Sequence, residues 1–201
     1  MNKYFILAGL FFSVGLSAQN WQVRLRGISV QPNEKSTIDV IGGNANVSNS
    51  YIPEVDFTYF FNKNIAAELI LGTTKHNVNA ENTSLGNVNL GSVWLLPPTL
   101  TLQYHFYPTK TIKPYVGAGI NYTFFYSSKP GDVTHVDYKN NAGFALQGGI
   151  DYMINDKFFV NFDMKKIFLK TDVTVDAAGT NIPAKVTLDP FLWGFGVGMK
   201  F

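Results

Sequence analysis

The sequence predicts an all-β protein, an eight-stranded antiparallel transmembrane β-barrel with short periplasmic turns and long extracellular loops. Three observations carry this prediction. Eight segments alternate apolar and polar residues, the links between them are alternately short and long, and the last segment separates bulky from small side chains. Alternation with a period of two is typical of β-strands, because successive side chains of a strand point to opposite faces.

The amino-acid composition fits a β-rich protein with an apolar exterior. Charged residues make up 15% of the chain, against roughly 25% in typical soluble domains. Aromatic residues and glycine are abundant, with 17 Phe, 10 Tyr, 3 Trp and 18 Gly. The chain has no cysteine, which excludes disulfides, thiolate metal sites and cysteine nucleophiles. The formal net charge of +2 gives no indication of a nucleic-acid surface.

Residues 1–18 are predicted to be a signal peptide that is cleaved after Ala18. Lys3 supplies a positive start, an apolar run follows from residue 4 to residue 14, and small residues close the segment. The run is shorter than the about 20 residues that a transmembrane helix needs. An uncleaved N-terminal anchor is the alternative. The barrel is then predicted over residues 19–201.

The eight predicted strands are separated by links of two kinds. Their alternating segments are residues 21–26, 54–61, 65–72, 100–106, 116–126, 144–152, 160–165 and 191–201. Three links are short: 62–64, 108–112 and 155–157. The other four are long and polar, and one of them, around residues 78–94, could hold a short helix or an extra hairpin over the mouth. Alternately short and long connections are the layout of an outer-membrane barrel.

The final segment, FLWGFGVGMKF, decides between a membrane barrel and a soluble one. Bulky residues occupy its odd positions, while Gly194, Gly196, Gly198 and Lys200 occupy even positions. A soluble sandwich or lipocalin-like barrel would turn the glycine row to water, whereas a membrane barrel places the bulky row in lipid and the glycines in a crowded lumen. We therefore expect an integral protein of the outer membrane of a Gram-negative-type envelope, with the last strand closing against the first. Candidates for its interfacial aromatic girdles are Trp21, Tyr59, Tyr122, Phe158, Trp193 and Phe201.

The stretch LPPTLTLQYHFYPTKTIKPYVGAGINYTFFY (96–126) resembles the central signature of the outer membrane protein W (OmpW) family. Matching residues elsewhere are Trp21, Arg24, Lys75, His76, Asp189 and Pro190. The resemblance implies an eight-stranded outer-membrane barrel whose narrow hydrophobic channel admits small hydrophobic molecules. The terminal Phe201 resembles the end signature that the outer-membrane assembly machinery recognises.

The inward-facing residues, arranged by depth, predict an apolar upper lumen above a charged lower one. The proposed apolar channel lining is Ile28, Val30, Ile52, Ile167, Leu188 and Leu192. The proposed polar plug is Arg24, Arg26, Glu54, Asp56, Asp163 and Lys165, with Glu68 nearby. Buried charges need partners, so we expect a paired network across the lower barrel. A bulge near Lys166 would reverse the parity of the strand above it.

Two readings of the lumen stay open. In the first, a hydrophobic molecule that enters from outside meets the polar floor and leaves sideways into the membrane. In the second, the side chains of both layers only fill space. Barrels of this size do either. The second reading makes the protein a structural or adhesive envelope barrel.

A lipid-acting enzyme is a third possibility, and the chain offers His76, His105 and His135 for it. No Ser-His-Asp spacing or metal-ligand set accompanies these histidines. We therefore predict no catalytic residue, metal or cofactor. The expected partners of the monomer are outer-membrane lipid, small hydrophobic molecules and the assembly machinery.

Overall fold

A computed structural model describes residues 20–33, 35–37, 43–84, 86–177 and 179–201. The signal peptide predicted for residues 1–18 lies outside these ranges. No helix in the described part of the chain has the length and apolarity to cross a membrane.

The described residues form fifteen strands. They are β1 (Trp21–Gln31), β2 (Lys35–Thr37), β3 (Asn44–Val47), β4 (Ser50–Phe60), β5 (Ile65–Gly72), β6 (Thr74–Thr83), β7 (Gly86–Leu96), β8 (Thr99–His105), β9 (Ile112–Lys129), β10 (His135–Tyr138), β11 (Asn141–Met153), β12 (Phe158–Phe168), β13 (Lys170–Ala177), β14 (Thr180–Thr187) and β15 (Phe191–Lys200).

Eight of these strands close into an antiparallel barrel, as the sequence predicts. Their order around the ring is β1, β4, β5, β8, β9, β11, β12 and β15. The ring closes where β1 pairs with β15, in a ladder from Gln22–Lys200 to Gln31–Phe191. Closure satisfies the backbone groups of both terminal strands, which have no water to bind inside hydrocarbon.

The three short links form tight turns at one end of the barrel. In two of them an asparagine side chain caps the turn: Asn62 Oδ1 accepts the Ile65 N–H at 2.9 Å, and Asn155 Oδ1 accepts the Phe158 N–H at 2.8 Å. The side chains of asparagine readily hydrogen-bond backbone groups a few residues on, which favours such turns. The short turns predicted from the sequence are confirmed.

The four long links are folded further than the sequence predicts. β6 and β7 form a hairpin that stands on the barrel wall, while β10, β13, β14 and β2 form a separate four-stranded sheet. The hairpin is the extra one considered for residues 78–94. Apolar residues from both parts pack together, among them Val78, Leu90 and Ile182. Burial of these scattered valines, leucines and isoleucines orders segments whose average composition is polar.

The two faces of the barrel strands carry opposite kinds of side chain. Large apolar residues point outward, with Leu102 59% and Phe195 62% exposed. Arg24 and Glu68 point inward and are fully buried. This arrangement inverts the rule for soluble proteins and confirms the orientation predicted for a lipid-facing exterior.

The glycines of β15 leave space for large inward side chains of neighbouring strands. A Cβ placed on Gly196 would lie 2.5 Å from Cγ of Arg26, its partner across the ladder. A Cβ on Gly198 would run into the ring of Phe159. The glycine row of the last strand is therefore a packing requirement of the lumen.

Candidate functional site

The lower lumen holds a network of charged side chains that begins with two arginines of β1. The β1–β4 register places Arg24 opposite Asp56 and Arg26 opposite Glu54. Arg24 Nη1 lies 3.3 Å from Asp56 Oδ1, and Arg26 Nη2 lies 2.9 Å from Asp56 Oδ2. Arg26 Nε is 3.0 Å from Glu54 Oε1. Cross-strand neighbours on one face of a sheet touch in this way. The alternation of each strand places these side chains on the inward face, and the register of the two strands decides which of them meet.

β12, which is separated from β1 by β15 in the ring, completes the network. Lys165 Nζ donates to Glu54 Oε1 at 2.6 Å and lies 3.3 Å from Asp163 Oδ1. Asp163 Oδ2 lies 3.3 Å from Arg26 Nη1. The structure thus brings all six residues of the predicted plug into one contact network.

Glu68 on β5 is the hub of this network. One of its carboxylate oxygens, Oε1, contacts Arg24 Nη1 closely and lies 3.2 Å from Arg26 Nη2. The other accepts from Gln103 at 2.6 Å and from Gln147 at 2.7 Å. A carboxylate with this many donors needs no water, which lets the floor exclude solvent.

Sequence reasoning missed several further members of the floor. Asp151 lies 3.4 Å from Arg24 Nη2 and accepts from Asn161 at 2.7 Å. Tyr115 donates to Asp163 Oδ2 at 2.6 Å. The inward parity of their strands was the signal for finding them. Asp151 and Tyr115 contact residues of strands that are not their neighbours, across the lumen. The alternation within one strand does not predict which residues meet across the ring.

Carboxyl groups outnumber cations in the floor. Among the described residues, the buried cations are Arg24, Arg26 and Lys165, and the buried carboxyl groups are Glu54, Asp56, Glu68, Asp151 and Asp163. An anionic ligand therefore finds little electrostatic attraction at this depth.

An apolar cavity of about 140 Å³ lies directly above the floor. All six residues predicted for the channel lining are among those that line it, and they pack in one apolar cluster with Ala145 and Leu169. Glu54 and Lys165 lie at its lower end. An apolar cavity of roughly 150 Å³ is large enough to bind benzene.

The cavity continues above the membrane between the extracellular strands. Val78 of β6, Val88 of β7 and Ile182 of β14 line this upper part together with Tyr138 of β10. The Tyr138 ring stacks on Phe125 at 5.5 Å. Burial raises the pKa of Tyr138 to about 12, so its phenol stays neutral and the upper wall carries no charge there.

The side chains of β12 keep alternating between inward and outward through Lys166, so the bulge considered there does not occur. β12 pairs with β11 residue by residue from Phe159 to Phe168. Ile167 consequently points inward, and Lys166 reaches up to donate to the carbonyl oxygen of Asp189.

The three histidines lie in different surroundings. His76 lines the cavity, and its Nε2 is 3.1 Å from Thr74 Oγ1. His105 is buried in the floor and stacks on Tyr115 at 5.0 Å. His135 is exposed on the extracellular sheet. Within the described ranges, no group of three or more histidine or acidic side chains has a metal-binding arrangement.

A family model matches residues 17–201, and its description is that of the OmpW family. The chain belongs to the OmpW family. An uncharacterized outer-membrane protein of Sinorhizobium fredii, y4mB, is 47% identical over 94% of this chain and 82% of its own length. PahQ of Pseudomonas aeruginosa, a dibenzothiophene metabolism operon protein, is 31% identical over 81% of this chain and 77% of its own length.

Solved structures share the OmpW-family fold. The outer membrane protein OprG of Pseudomonas aeruginosa superposes with a TM-score of 0.84 at 24% identity, covering 91% of this chain and 96% of OprG. Outer membrane protein AlkL superposes with a TM-score of 0.73 at 26% identity, covering all of this chain and 97% of AlkL. The predicted outer-membrane location is confirmed by these relatives and by the family match.

Proposed function

We propose that this OmpW-family barrel lets small hydrophobic molecules pass from the exterior into the outer membrane, without catalysing a reaction. The observation that carries the proposal is one continuous apolar cavity, which extends from the extracellular strands down to Glu54 and Lys165. A concave, mostly apolar space with few polar groups is the usual form of a small-molecule site.

The floor makes a straight passage into the periplasm unfavourable. Arg24, Glu68 and Tyr115 are among the buried side chains that fill the lower barrel. An apolar molecule would have to break their contacts without replacing them, which costs several kcal/mol for buried charged groups. Exit through the wall into lipid requires no such loss.

The backbone ladder of the wall is interrupted beside the cavity, at the upper end of β5 and β8. The β5–β8 ladder ends at Ile70–Thr99, and the β6–β7 ladder resumes at Thr74–Leu95. Pro97 lies in the interval, and proline has no N–H with which to extend a ladder. Gly72 and Pro97 both line the cavity. This seam is the proposed exit, and Thr73 fastens it through a 3.1 Å hydrogen bond to the Leu95 carbonyl.

The name of one relative supports an apolar cargo. PahQ is named for a dibenzothiophene metabolism operon, and dibenzothiophene is a neutral aromatic molecule. The apolar lining of the cavity in this chain suits molecules of that chemical type.

Lysines placed in the cavity test the proposal. The variant Ile28→Lys/Leu192→Lys puts two charges among the lining residues, and it should reduce barrel-dependent uptake of naphthalene by Gram-negative cells to the level of cells without the barrel. The matched control Thr174→Lys/Asn181→Lys adds the same charges at exposed extracellular positions. Uptake rates are compared at equal amounts of folded protein in the outer membrane.

Equal uptake by the wild type, the cavity variant and cells without the barrel would contradict the proposal. It would favour the alternative that the lumen is only packed and that the barrel has a structural or adhesive role.

A further inference from the structure

The lower end of the cavity presents an unused hydrogen-bond donor beside an unused acceptor. Lys165 and Glu54 both line the cavity and are 2% and 4% exposed. The Lys165 ammonium has three N–H donors, and its contacts are with Glu54 Oε1 and Asp163 Oδ1. Glu54 makes its contacts through Oε1 alone, so among the described residues Oε2 has no partner.

Other polar groups at this level already have partners. The Thr99 hydroxyl donates to the Pro97 carbonyl at 3.1 Å and accepts from Asn121 at 2.8 Å. The Thr123 hydroxyl donates to Asn121 Oδ1 at 2.8 Å. The pair of Glu54 and Lys165 is therefore where a ligand gains most from a polar atom, because buried groups without partners are costly.

We propose that the cavity binds neutral amphiphiles with a hydroxyl group, alcohols or phenols, with the hydroxyl pointing down to Glu54 and Lys165. This inference rests on the proposed function, since it specifies what the same cavity holds. The hydroxyl donates to Glu54 Oε2 and accepts from the third N–H of Lys165. A hydroxyl is the smallest group that can do both.

Other polar groups match the pair less well. A hydrocarbon leaves both atoms without partners. A carboxylate cannot donate to Glu54 and approaches a floor in which carboxyl groups outnumber cations by five to three. An alkylammonium can donate to Glu54 Oε2, but it offers no acceptor to Lys165, and its charge loses its hydration in the apolar cavity, which outweighs the attraction of the floor's carboxyl groups. The order of affinity is therefore alcohol first, then hydrocarbon, then the two ions.

Toluene, p-cresol and p-toluate test this order because they share a ring and differ in one substituent. The cavity of about 140 Å³ matches a ligand with a single ring. Binding to the purified full-length barrel in lipid nanodiscs is followed by NMR of isoleucine methyl groups. Ile28 and Ile167 report the cavity, while Ile120 and Ile150, which face lipid, correct for partition of the ligand into the bilayer.

We expect p-cresol to bind about tenfold more tightly than toluene, the effect of roughly one to two buried hydrogen bonds, and p-toluate to bind more weakly than toluene. In the variant Glu54→Leu/Lys165→Met, toluene should still bind, and p-cresol should bind with about the same affinity as toluene. The matched control Asp172→Leu/Lys185→Met removes an opposite-charged, exposed pair from the extracellular sheet and should keep the full advantage.

The outcomes separate this inference from the proposed function. Equal affinities of the wild type for toluene and p-cresol overturn the inference and leave hydrophobic passage standing, and this comparison needs no variant to fold. A preference for p-cresol that survives in Glu54→Leu/Lys165→Met also overturns it. If no ligand shifts the Ile28 and Ile167 methyl groups beyond the lipid-facing ones, both the inference and the proposed function fail.

Discussion

Single residues of β15 decide whether the barrel interior fits together. Gly196 is opposite Arg26 in the ladder, and because glycine has no side chain it leaves room for the aliphatic part of the arginine side chain. Gly27 is on the next strand but faces outward, where an added Cβ meets nothing within 4 Å. The two glycines therefore look alike in the sequence and have different roles in the structure.

This difference predicts opposite results for the same substitution. Gly196→Ala should lower the free energy of unfolding by about 1–3 kcal/mol, the usual cost of overpacking a filled interior. Gly27→Ala should change it by less than about 0.5 kcal/mol, as is usual for an uncrowded surface position. Urea unfolding in lipid vesicles measures both. Equal effects of the two substitutions would argue against a tightly packed lumen at Arg26.

Glu68 illustrates a residue whose importance the sequence understates. It is one polar position in an alternating strand, yet it contacts two arginines and two glutamines. Those partners come from β1, β8 and β11. The alternation showed that Glu68 faces the lumen, and the closed ring decided that it is the centre of the floor.

At the scale of an element, β8 shows what the lipid-facing row contributes. Its outward residues include Leu100, Leu102 and Tyr104, and its inward residues include Thr101 and Gln103. The outward side chains need no specific neighbours, because they dissolve in hydrocarbon. If a charged residue replaces one of them, the loss of stability depends on its depth in the membrane.

A lysine at the middle of β8 tests this orientation. Leu102→Lys should reduce the free energy of unfolding in lipid vesicles by about 2–4 kcal/mol, the cost reported for lysine at the bilayer midplane on a barrel exterior. Thr109→Lys, in the exposed turn after β8, is the control and should have an effect within about 1 kcal/mol. A soluble barrel would tolerate both lysines on its surface, and that result would remove the basis of the membrane assignment.

At the scale of the whole molecule, the start of the first barrel strand meets the end of the last one. The N–H of Phe201 donates to the Trp21 carbonyl at 2.9 Å, which extends the closing ladder by one step. The Phe201 ring is exposed at the rim. The ring lies at the edge of the barrel, where one interfacial aromatic residue among several adds little stability, so we propose that its main role is recognition by the outer-membrane assembly machinery.

That role predicts a defect in assembly without a defect in stability. Phe201→Ala should lower the amount of folded barrel in the outer membrane several-fold, while the refolded protein loses less than about 1 kcal/mol of unfolding free energy. Phe158→Ala changes another exposed ring on the same rim and serves as the control. If both variants reach the outer membrane equally well, the proposed recognition of Phe201 is wrong.

The sequence by itself determined the number of barrel strands, the short turns and the faces of each barrel strand. Each of these follows from a period of two and from short links, which are local properties. The tertiary structure alone decided that Asp151 and Tyr115 join the floor, that the long links continue as strands, and that Lys165 keeps a free donor beside Glu54. Contacts across a closed ring depend on its diameter and on how side chains share its space, and no single strand contains that information.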